Sequence, residues 1–362
     1  MACETGTNMQ QNVATTRFQR NRNPPAMPNP VLVEVTRGNL VESRHHGIAA
    51  VVDADGATVM TIGDPSTPIF PRSAIKALQA LVLVEAGAAD RYGFGEEELA
   101  LACASHGGEP GHVAAAERML RAAGLDSSAL ACGTHWPLHQ PSAQALARAG
   151  GTASSLHNNC SGKHAGFLCA ACAMQAAASG YVDAAHPVQR EVKGVLESLS
   201  VAPIPDERRA VDGCSVPTWA MPLDALAHAF ARFATGRGLA PARAAAAQRL
   251  RGACAAKPWF VAGTGRFDTA LMQHFGARVF VKGGAEGVHC GALPELGYGL
   301  AVKCEDGHGR SAEVVMAALI ARLLRLDAGD RDFLARFVRP TLRNWNGAIV
   351  GEVRPSGPWS QP

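Results

Sequence analysis

The sequence has few aromatic residues and almost no excess of charge of one sign. Aromatic residues make up 6% of its 362 residues, and 34 basic against 31 acidic side chains leave a formal net charge of +3. A nucleic-acid surface needs a strongly basic patch, and a single-strand platform adds aromatic side chains for stacking. Neither feature is present, so we expect no nucleic-acid partner.

The sequence also lacks a long hydrophobic run. Its longest stretch without a charged side chain, residues 165–182, is rich in alanine and includes Gln175, Ser179 and Gly180. Alanine contributes little to membrane insertion, so this stretch predicts a packed helix rather than a membrane span. No apolar segment of a secretory signal follows the first methionine. We therefore expect a soluble, cytoplasmic protein with no membrane partner.

Lysine is scarce as well, because only six of the 34 basic side chains are lysine and the others are arginine. A lysine can lose its proton when it is buried or lies near another cation, whereas an arginine cannot. Only a neutral lysine amine can therefore act as a general base or bind a metal. Three of the six lysines lie in compact polar motifs, which are Ser73-Ala74-Ile75-Lys76, Cys160-Ser161-Gly162-Lys163 and Lys282-Gly283-Gly284. Either these motifs form a site, or coding bias toward arginine has left scattered surface lysines.

Ten cysteines without a secretory signal favour reduced thiols over a disulfide framework. Cysteines beside polar residues, Cys160 and Cys214, are the candidates for chemistry. The others are expected to be mostly small core residues, among them Cys103, Cys254, Cys304 and the pair Cys169 and Cys172 in the alanine-rich stretch.

Alternating apolar residues predict strands near both ends of the chain, at residues 31–36, 47–53, 57–63, 279–282, 287–293, 299–304 and 348–354. Ala54-Asp55-Gly56 predicts a hairpin between the second and third of these strands. Between them, residues 140–275 consist mainly of alanine-rich helical segments separated by glycine and proline. We therefore predict an α/β protein of the α+β type. Its mainly antiparallel sheet comes from both chain ends, and a central, largely helical region packs against it. A cleft between the two is the expected site.

We expect a single domain over residues 31–354. Residues 1–30 are polar and contain four prolines near their end, the composition of a flexible N-terminal tail. Residues 355–362 are expected to form a C-terminal tail.

The Ser73-x-x-Lys76 motif begins a segment, residues 73–87, whose apolar pattern is helical. Positions three apart lie on one face of a helix, so the hydroxyl and the amine can meet. The positive end of the helix dipole disfavours an ammonium and favours an oxyanion, as a lysine base and a serine nucleophile require. A capping serine followed by a surface lysine gives the same spacing, so the motif alone is weak.

Two further motifs strengthen this interpretation. Lys282-Gly283-Gly284 ends a predicted strand, like the Lys-Thr-Gly strand that faces the Ser-x-x-Lys helix in penicillin-recognising enzymes. Ser105, which precedes a His-Gly-Gly loop, is a candidate for the polar element between them. The order of the three motifs and the layout of terminal strands around central helices both match that arrangement.

A second polar cluster combines two cysteines with a lysine. Cys160, Lys163 and Cys214 offer two thiolates and an amine, which together can bind one borderline dication and leave a position open for water or substrate. Metal binding would itself hold the lysine deprotonated. The alternative is a pair of turn cysteines beside a salt-bridging lysine, and His164 and His106 are alternative ligands.

Taken together and in this order, the motifs resemble the L-asparaginase II family, specifically its rhizobial, zinc-binding type (class 3). The resemblance covers about residues 31–353 and rests on Pro71-Arg72-Ser73-x-x-Lys76, residues 104–109, 159–164, 212–214, 263–269 and 281–287, and Asn344-x-x-Gly347. It implies a serine-β-lactamase-like fold, usually a homodimer, that hydrolyses L-asparagine to L-aspartate and ammonia.

The resemblance also implies roles for particular residues. It assigns two Ser–Lys tandems, Ser73 with Lys76 and Ser105 with Lys282, and one zinc ion per chain. The zinc ligands that it implies are Cys160, Lys163 and Cys214.

We expect Ser73 to attack the side-chain amide carbon, with Ser105 as a proton relay or as the nucleophile itself. Asp212 is the candidate for the α-ammonium of the substrate, and His164 is a further candidate substrate-binding residue. Arg72 either binds the α-carboxylate or has a structural role under the Ser73 helix. Zinc is expected to orient the substrate rather than to generate the nucleophile. The alternatives are a serine glutaminase, a β-lactamase-type acyl hydrolase, or a non-catalytic, zinc-stabilised amino-acid-binding protein.

Overall fold

The computed structural model describes residues 29–357. Residues 1–28 of the predicted N-terminal tail and residues 358–362 of the predicted C-terminal tail therefore lie outside the described residues. The strands are β1 (Val31–Arg37), β2 (Leu40–Asp53), β3 (Thr58–Ile62), β4 (Pro68–Ile69), β5 (Arg209–Val211), β6 (Pro217–Trp219), β7 (Met221–Pro222), β8 (Phe280–Gly283), β9 (Val288–Leu293), β10 (Tyr298–Cys304), β11 (Thr341–Arg343) and β12 (Ile349–Pro355).

Most helices lie in the central part of the chain. They are α1 (Lys76–Gln79), α2 (Leu81–Glu85), α3 (Ala88–Arg91), α4 (Glu96–Ala102), α5 (Pro110–Ala122), α6 (Gln140–Arg148), α7 (Ser161–Ala173), α8 (Pro187–Ser200), α9 (Leu223–Thr235), α10 (Pro241–Ala256), α11 (Pro258–Ala262), α12 (Phe267–Phe275), α13 (Gly309–Leu323) and α14 (Ala328–Val338). Short 3₁₀ turns occur at Arg72–Ile75, Ser127–Ala129, Ser155–His157, Asp206–Arg208 and Gly276–Arg278.

The main sheet is built from both chain ends, as predicted. Its eight strands run in the order β11-β12-β1-β2-β10-β9-β8, with β3 also paired to β2, and the pairs are antiparallel. Two short ladders, β4 with β7 and β5 with β6, lie outside this sheet. The ladder between β4 and β7 joins the chain just before Ser73 to the chain just after Cys214, which brings the two polar motifs into one neighbourhood.

The predicted hairpin at residues 54–56 connects β2 and β3. The Asp53 side chain accepts the backbone N–H groups of Asp55 and Ala57 at 2.9 and 2.8 Å. Gly56 has a φ of +89°, a conformation that glycine adopts without a steric cost. The turn is therefore specified by local residues, which is why the sequence predicted it.

Helices cover both faces of the sheet. A Cβ atom at Gly299 on β10 would lie 1.9 Å from the Ala227 carbonyl oxygen of α9, so this glycine allows the helix to pack directly on the strand. Gly291 on β9 pairs with Leu300, which is the neighbour of Gly299 on β10. A Cβ atom on Gly291 would approach Met316 of α13. Adjacent strand positions point to opposite faces. The sheet is thus an inner layer between α9 and α13 at this point, and β9 and β10 are almost wholly buried.

Two predicted elements differ from the structure. The helix expected over residues 73–87 is a 3₁₀ turn followed by the short helices α1 and α2. The alanine-rich stretch is helical only as far as Ala173, because Gln175 has a φ of +58° and cannot continue the helix.

Two predictions about the chain as a whole can be compared with residues 29–357. The nine cysteines in this range are all free thiols, which agrees with the expectation of reduced cysteines. Among the same residues, we find no helix that is both long and apolar enough to cross a membrane.

Candidate active site

A cleft of about 220 Å³ contains two serines and a lysine from the predicted tandems. It lies where the 3₁₀ turn at residues 72–75, the end of β8 and the first turns of α12 and α13 meet. Its lining residues are Ser73, Ser105, Leu138, Asn159, Arg266, Phe267, Asp268, Lys282, Gly283, Gly284, Ala285, Val288, His289, Gly309, Ala312 and Glu313.

Lys76, the fourth predicted tandem residue, is fully buried beside the cleft. Its Nζ donates to the Ala104 carbonyl oxygen at 2.7 Å and to Ser105 Oγ at 2.8 Å, and it lies 3.1 Å from Cys160 Sγ. The hydrogen-bonded serine is thus Ser105, whereas the resemblance paired Lys76 with Ser73. An amine that contacts both Ser105 and Cys160 connects the cleft to the cysteine cluster.

The Ser73 hydroxyl faces the cleft, and no hydrogen bond of this group is found within residues 29–357. The residue before it, Arg72, has a φ of +51°, which is unfavourable for a side chain larger than glycine. A Cβ on Gly284 would lie 2.9 Å from the Pro71 carbonyl oxygen and 3.0 Å from Ala74 N. The glycine therefore allows the end of β8 to pack closely against the segment that presents Ser73.

Lys282 is 1% exposed and reaches the cleft from the end of β8. Its Nζ donates to the Gly283 carbonyl oxygen at 2.7 Å and lies 3.8 Å from Asp268 Oδ2. Burial lowers the pKa of Lys282 to about 8, with repulsion from Lys76 adding to the effect and attraction by Asp268 opposing it. The Lys282 ammonium therefore gives up its proton more easily than that of an ordinary lysine.

Asp268 is the main acidic group at the base of the cleft. Its Oδ1 lies 2.9 Å from His289 Nε2, a close electrostatic contact whose angle is outside the range of a good hydrogen bond, and Oδ2 accepts the Gly283 N–H at 2.9 Å. Burial opposes its ionisation, but His289, Lys282 and this N–H together hold the pKa of Asp268 well below its usual range. The cleft therefore contains a fixed negative charge next to Lys282.

The loop after Ser105 is held rigidly. Glu109 accepts the Thr264 N–H at 2.8 Å and the Thr264 hydroxyl at 2.7 Å, which ties the loop to the chain before α12. His106 accepts the Gly108 N–H at Nδ1, and its Nε2 lies 3.0 Å from Ser161 Oγ. Both ring nitrogens of His106 are thus occupied within the protein. Its predicted alternative role as a metal ligand is not favoured by this geometry.

The second polar cluster brings Cys160, Lys163 and Cys214 together. Lys163 Nζ lies 3.0 Å from Cys214 Sγ, and each of the three residues is at most 4% exposed. Hydrogen bonding by the neighbouring Cys214 thiol and the charges of Lys76 and Lys163 hold the pKa of Cys160 well below its usual range, against the effect of burial. The same thiol pairing, with burial, raises the pKa of Cys214. The nearby lysine charges therefore favour ionisation of Cys160.

Asp212 and Arg72 form an ion pair beside this cluster. Arg72 Nε donates to Asp212 Oδ1 at 2.6 Å, and Asp212 Oδ2 lies 3.8 Å from Cys214 Sγ. Burial opposes ionisation of Asp212, but attraction by Lys163 and Arg72 lowers its pKa. The structure thus pairs the two predicted substrate-binding residues with each other, and neither lines the cleft that contains Ser73.

His164 lies apart from the cleft, although its predicted role was substrate binding. It is fully buried, and its Nδ1 accepts from the Tyr181 hydroxyl, which in turn accepts the Ala131 N–H. Burial and the nearby Lys163 lower the pKa of His164, so the ring is neutral. Its other nitrogen has no hydrogen-bond partner within residues 29–357.

The donors of the cysteine cluster fit a zinc ion. Sulfur and nitrogen are the ligands that zinc prefers, and three of them around a buried space leave a fourth position open. Within residues 29–357, no three His, Cys, Asp or Glu side chains form a metal-binding group, so a site here depends on Lys163 as the third ligand. In the structure Lys163 is an ammonium, because Cys214 and Cys160 outweigh the effect of burial and raise its pKa. Metal binding at this cluster must therefore release that proton.

Sequence reasoning missed several charged residues of the cleft. Asp268, Arg266, His289 and Glu313 line it, but only the first two lie in a motif that the resemblance used, and none was assigned a role. His289 could have been found from the sequence by recognising β8 and β9 as one hairpin, because Gly283 then pairs with His289. Burial raises the pKa of Glu313 above its usual range.

The sequence profile of the L-asparaginase II family matches residues 33–355. No curated protein matches the chain. One solved structure that matches is a β-lactamase from Mycobacterium bovis, at 14% identity and a TM-score of 0.36 over 76% of this chain and 94% of the other. A TM-score this low supports no conclusion about a shared fold or activity. The family profile spans almost all of the described residues, and the chain therefore belongs to the L-asparaginase II family.

Proposed function

We propose that this protein is an L-asparagine amidohydrolase of the rhizobial, zinc-binding type, which forms L-aspartate and ammonia through a serine acyl-enzyme. One observation carries the proposal: Ser73, Ser105 and Lys282 line a single cleft, and the buried Lys76 donates a hydrogen bond to Ser105 beside it. A hydroxyl within hydrogen-bond reach of a lysine is the arrangement that activates a serine nucleophile. Family membership supports an amide as the substrate class.

Ser73 is the nucleophile in this proposal. It follows the strained backbone of Arg72, and strained residues collect at catalytic sites because the surrounding structure holds them in place. Its own N–H lies in the first turn of the 3₁₀ segment, where backbone N–H groups have no acceptor within the helix. That N–H is available to stabilise an oxyanion.

The reaction has two halves. Ser73 Oγ attacks the side-chain amide carbon, and its proton passes through the Ser105 hydroxyl to Lys76 Nζ, in the form of the enzyme in which that amine has already given up a proton. The carbon–nitrogen bond breaks as the nitrogen takes a proton from the Lys282 ammonium, so ammonia leaves and a β-aspartyl ester remains. Water then attacks the ester and gives one proton to the neutral Lys282, while Lys76 returns its proton through Ser105 to Ser73 Oγ as the ester bond breaks and L-aspartate departs.

In the same proposal, Cys160, Lys163 and Cys214 hold one zinc ion. When bound, zinc supplies a positive charge that orients polar groups of the substrate beside the cleft. Asp212 binds the α-ammonium of the substrate, and Arg72 positions Asp212 through their ion pair.

The direct test is ammonia release by the purified full-length chain from L-asparagine, L-glutamine and, in parallel, hydrolysis of a chromogenic cephalosporin. We expect turnover of asparagine at a kcat/KM at least about tenfold above the other two. Preference for glutamine or for the cephalosporin would replace the proposal by one of the alternative hydrolases. No turnover of any of the three, with a rise in Tm on adding asparagine, would favour a binding protein.

The acyl-enzyme has its own test. Acid quench of the enzyme during turnover, followed by peptide mass spectrometry, should show β-aspartyl ester on Ser73. The Ser73→Ala variant should carry none, and Ser105→Ala should carry the ester on Ser73 at a lower rate. An ester found on Ser105 in the unmodified protein would exchange the roles of the two serines.

We also propose that the protein is a homodimer in the cytoplasm, and this part of the proposal rests only on the resemblance to the family. Light scattering at micromolar concentration tests the dimer, with a mass near twice the chain's 37.7 kDa expected. A monomeric mass with full activity would remove the dimer from the proposal.

A further inference from the structure

Asp268 is a buried carboxylate in the cleft to which the mechanism above gives no role. It lies in the first turn of α12, and its neighbours are the Gly283 N–H, the His289 ring and the Lys282 amine. A carboxylate removed from water is retained at a cost unless a partner compensates it. Asp268 and Lys282 therefore act as counter-charges to each other.

Asp268 also acts on Lys282 through the backbone. Its Oδ2 accepts the N–H of Gly283, and the carbonyl oxygen of the same residue accepts from Lys282 Nζ at 2.7 Å. The Gly283–His289 pair closes the ladder between β8 and β9 at this point. The carboxylate thus fixes the N–H end of Gly283, and the carbonyl end of the same residue holds the amine.

The remaining groups around Lys282 make Asp268 its principal nearby anion. Lys76 and Arg266 repel the ammonium, Cys160 attracts it from farther away, and two neutral thiols complete its surroundings, those of Cys103 and Cys290. His289 and Glu313 line the same cleft and both interact electrostatically with Asp268. Loss of the Asp268 charge would therefore leave Lys282 among cations.

We propose that Asp268 is a positioning residue for Lys282, which fixes the amine through Gly283 and keeps a proton on Nζ until that proton goes to the departing ammonia. The part played in turnover rests on the proposed function, since it assumes an amide substrate. The electrostatic coupling between the Asp268 carboxylate and the Lys282 amine does not depend on the proposed function. In the step itself, the Nζ–H bond breaks as the leaving nitrogen gains the proton, and the neutral Lys282 later regains one from water.

The first experiment measures the lysine without using activity. Full-length protein labelled with [¹³C,¹⁵N]lysine gives one side-chain signal for each of six lysines, and Lys282→Arg identifies the signal of interest. In Asp268→Asn, which keeps the size of the side chain and an acceptor for Gly283, we expect the titration midpoint of Lys282 to fall by about one pH unit or more. An unchanged or higher midpoint would overturn the proposal.

Asp330 offers a matched control. It too lies in the first turn of a helix, is buried, and contacts a histidine and a cation, His274 at 2.9 Å and Arg278 at 3.0 Å, but it is not part of the cleft. Asp330→Asn should leave the Lys282 midpoint where it is in the unmodified protein. An equal fall in this variant would mean that general loosening, not the local charge, controls the amine.

Two further variants extend the test. Asp268→Glu keeps the charge, so the Lys282 midpoint should stay within about half a unit of the original while kcat falls through the altered geometry. If Asp268→Asn does not fold, Asp268→Ser removes the charge from a smaller side chain, and the same fall in midpoint is expected. An unchanged midpoint in a folded Asp268→Ser variant would contradict the proposal equally.

The pH–rate profile then connects the amine to turnover. Without the negative charge the ammonium is less stable, so the limb of the kcat/KM profile that reports Lys282 should move to lower pH in Asp268→Asn, by the same amount as the signal. A moved signal with an unmoved limb would retain the coupling but reject the role in proton delivery. Failure of asparagine as a substrate would leave the signal measurement intact, so the two failures can be distinguished.

Discussion

Lys163 and Lys282 are equally buried, yet the protein changes their acidities in opposite directions. Burial and nearby cations lower the pKa of Lys282 to about 8, whereas Cys214 and Cys160 outweigh burial and raise the pKa of Lys163. The cleft thus holds a lysine that can exchange its proton near neutral pH, and the cysteine cluster holds one that keeps its proton. Burial alone does not make an amine a base, because the neighbouring charges decide the outcome.

Lys76 connects the two regions, since its amine contacts Ser105 on one side and Cys160 on the other. A change in the cysteine cluster can therefore reach the cleft through a single side chain. Substituting each lysine separately distinguishes its contribution to the cleft from its contribution to the cysteine cluster.

The largest effect is expected from Lys76→Met, which removes the amine and keeps most of the volume. We expect kcat/KM for asparagine to fall by about 10³-fold or more, because Ser105 loses the group that accepts its proton. Ammonia release and circular dichroism measure activity and folding together. Lys193→Met, which affects a lysine paired to Asp206 on the surface, is the control and should retain activity. Near-normal rates in Lys76→Met would remove the lysine from the mechanism.

Metal content separates the cysteine cluster from the cleft. Elemental analysis should find about one zinc per chain in the unmodified protein and almost none in Cys160→Ala or Cys214→Ala. Cys169→Ala changes a buried core cysteine of α7 and should retain the metal. A full equivalent of zinc in both cluster variants would refute the proposed ligands.

The pH dependence of stability should differ between the two lysines. The pKa of Lys282 is about 8 in the folded protein and 10.5 for an ordinary lysine, so between these values the unfolded chain binds more protons and stability rises with pH. From pH 7.5 to 9.5, the free energy of unfolding should therefore rise by about 2 kcal/mol relative to Lys282→Met.

Lys163 gives the contrasting case. Its raised pKa means that its contribution to stability is fully present below the ordinary lysine value and is lost only as pH rises through the folded value. After removal of metal with a chelator, the gap between the unmodified protein and Lys163→Met should therefore stay constant from pH 7.5 to 9.5. Urea unfolding at both pH values measures the two gaps, and parallel behaviour of the two variants would contradict the comparison.

The smallest effect is expected for Asp212→Asn. Loss of the charge that the proposal assigns to the α-ammonium should raise KM for asparagine about tenfold with less change in kcat. Asp206→Asn changes a surface carboxylate and should leave KM unchanged. An unaltered KM in Asp212→Asn would leave the Arg72–Asp212 pair with a structural role only.

Much of the fold followed from local patterns. The hairpin at residues 54–56 and the strands at both chain ends were predicted from alternating apolar residues and turn residues, because neighbouring positions in the sequence carry that information. The conformation of the chain at Ser73 was not predicted correctly. The argument from i, i+3 spacing assumed an α-helix, whereas the chain forms a 3₁₀ turn there. Spacing alone does not distinguish these two helices.

The site, like the fold, was predicted only in part from the sequence. Which residues carry chemistry could be listed from the sequence, and the structure brings Ser73, Ser105 and Lys282 into one cleft. The partner of Lys76 could not be listed, because the hydrogen bond to Ser105 joins residues 29 positions apart and depends on how α4 ends. Asp268 was missed for a related reason, since its importance comes from contacts with β8 and β9.

The sequence by itself therefore determined the strands and turns, the polar motifs and the family, all of which depend on residue type and short spacing. Only the tertiary structure decided which amine meets which hydroxyl, which thiol ionises more easily, and whether a buried lysine becomes more or less acidic. The physical reason is that electrostatic interactions depend on distance and burial, and both are created when distant parts of the chain pack together.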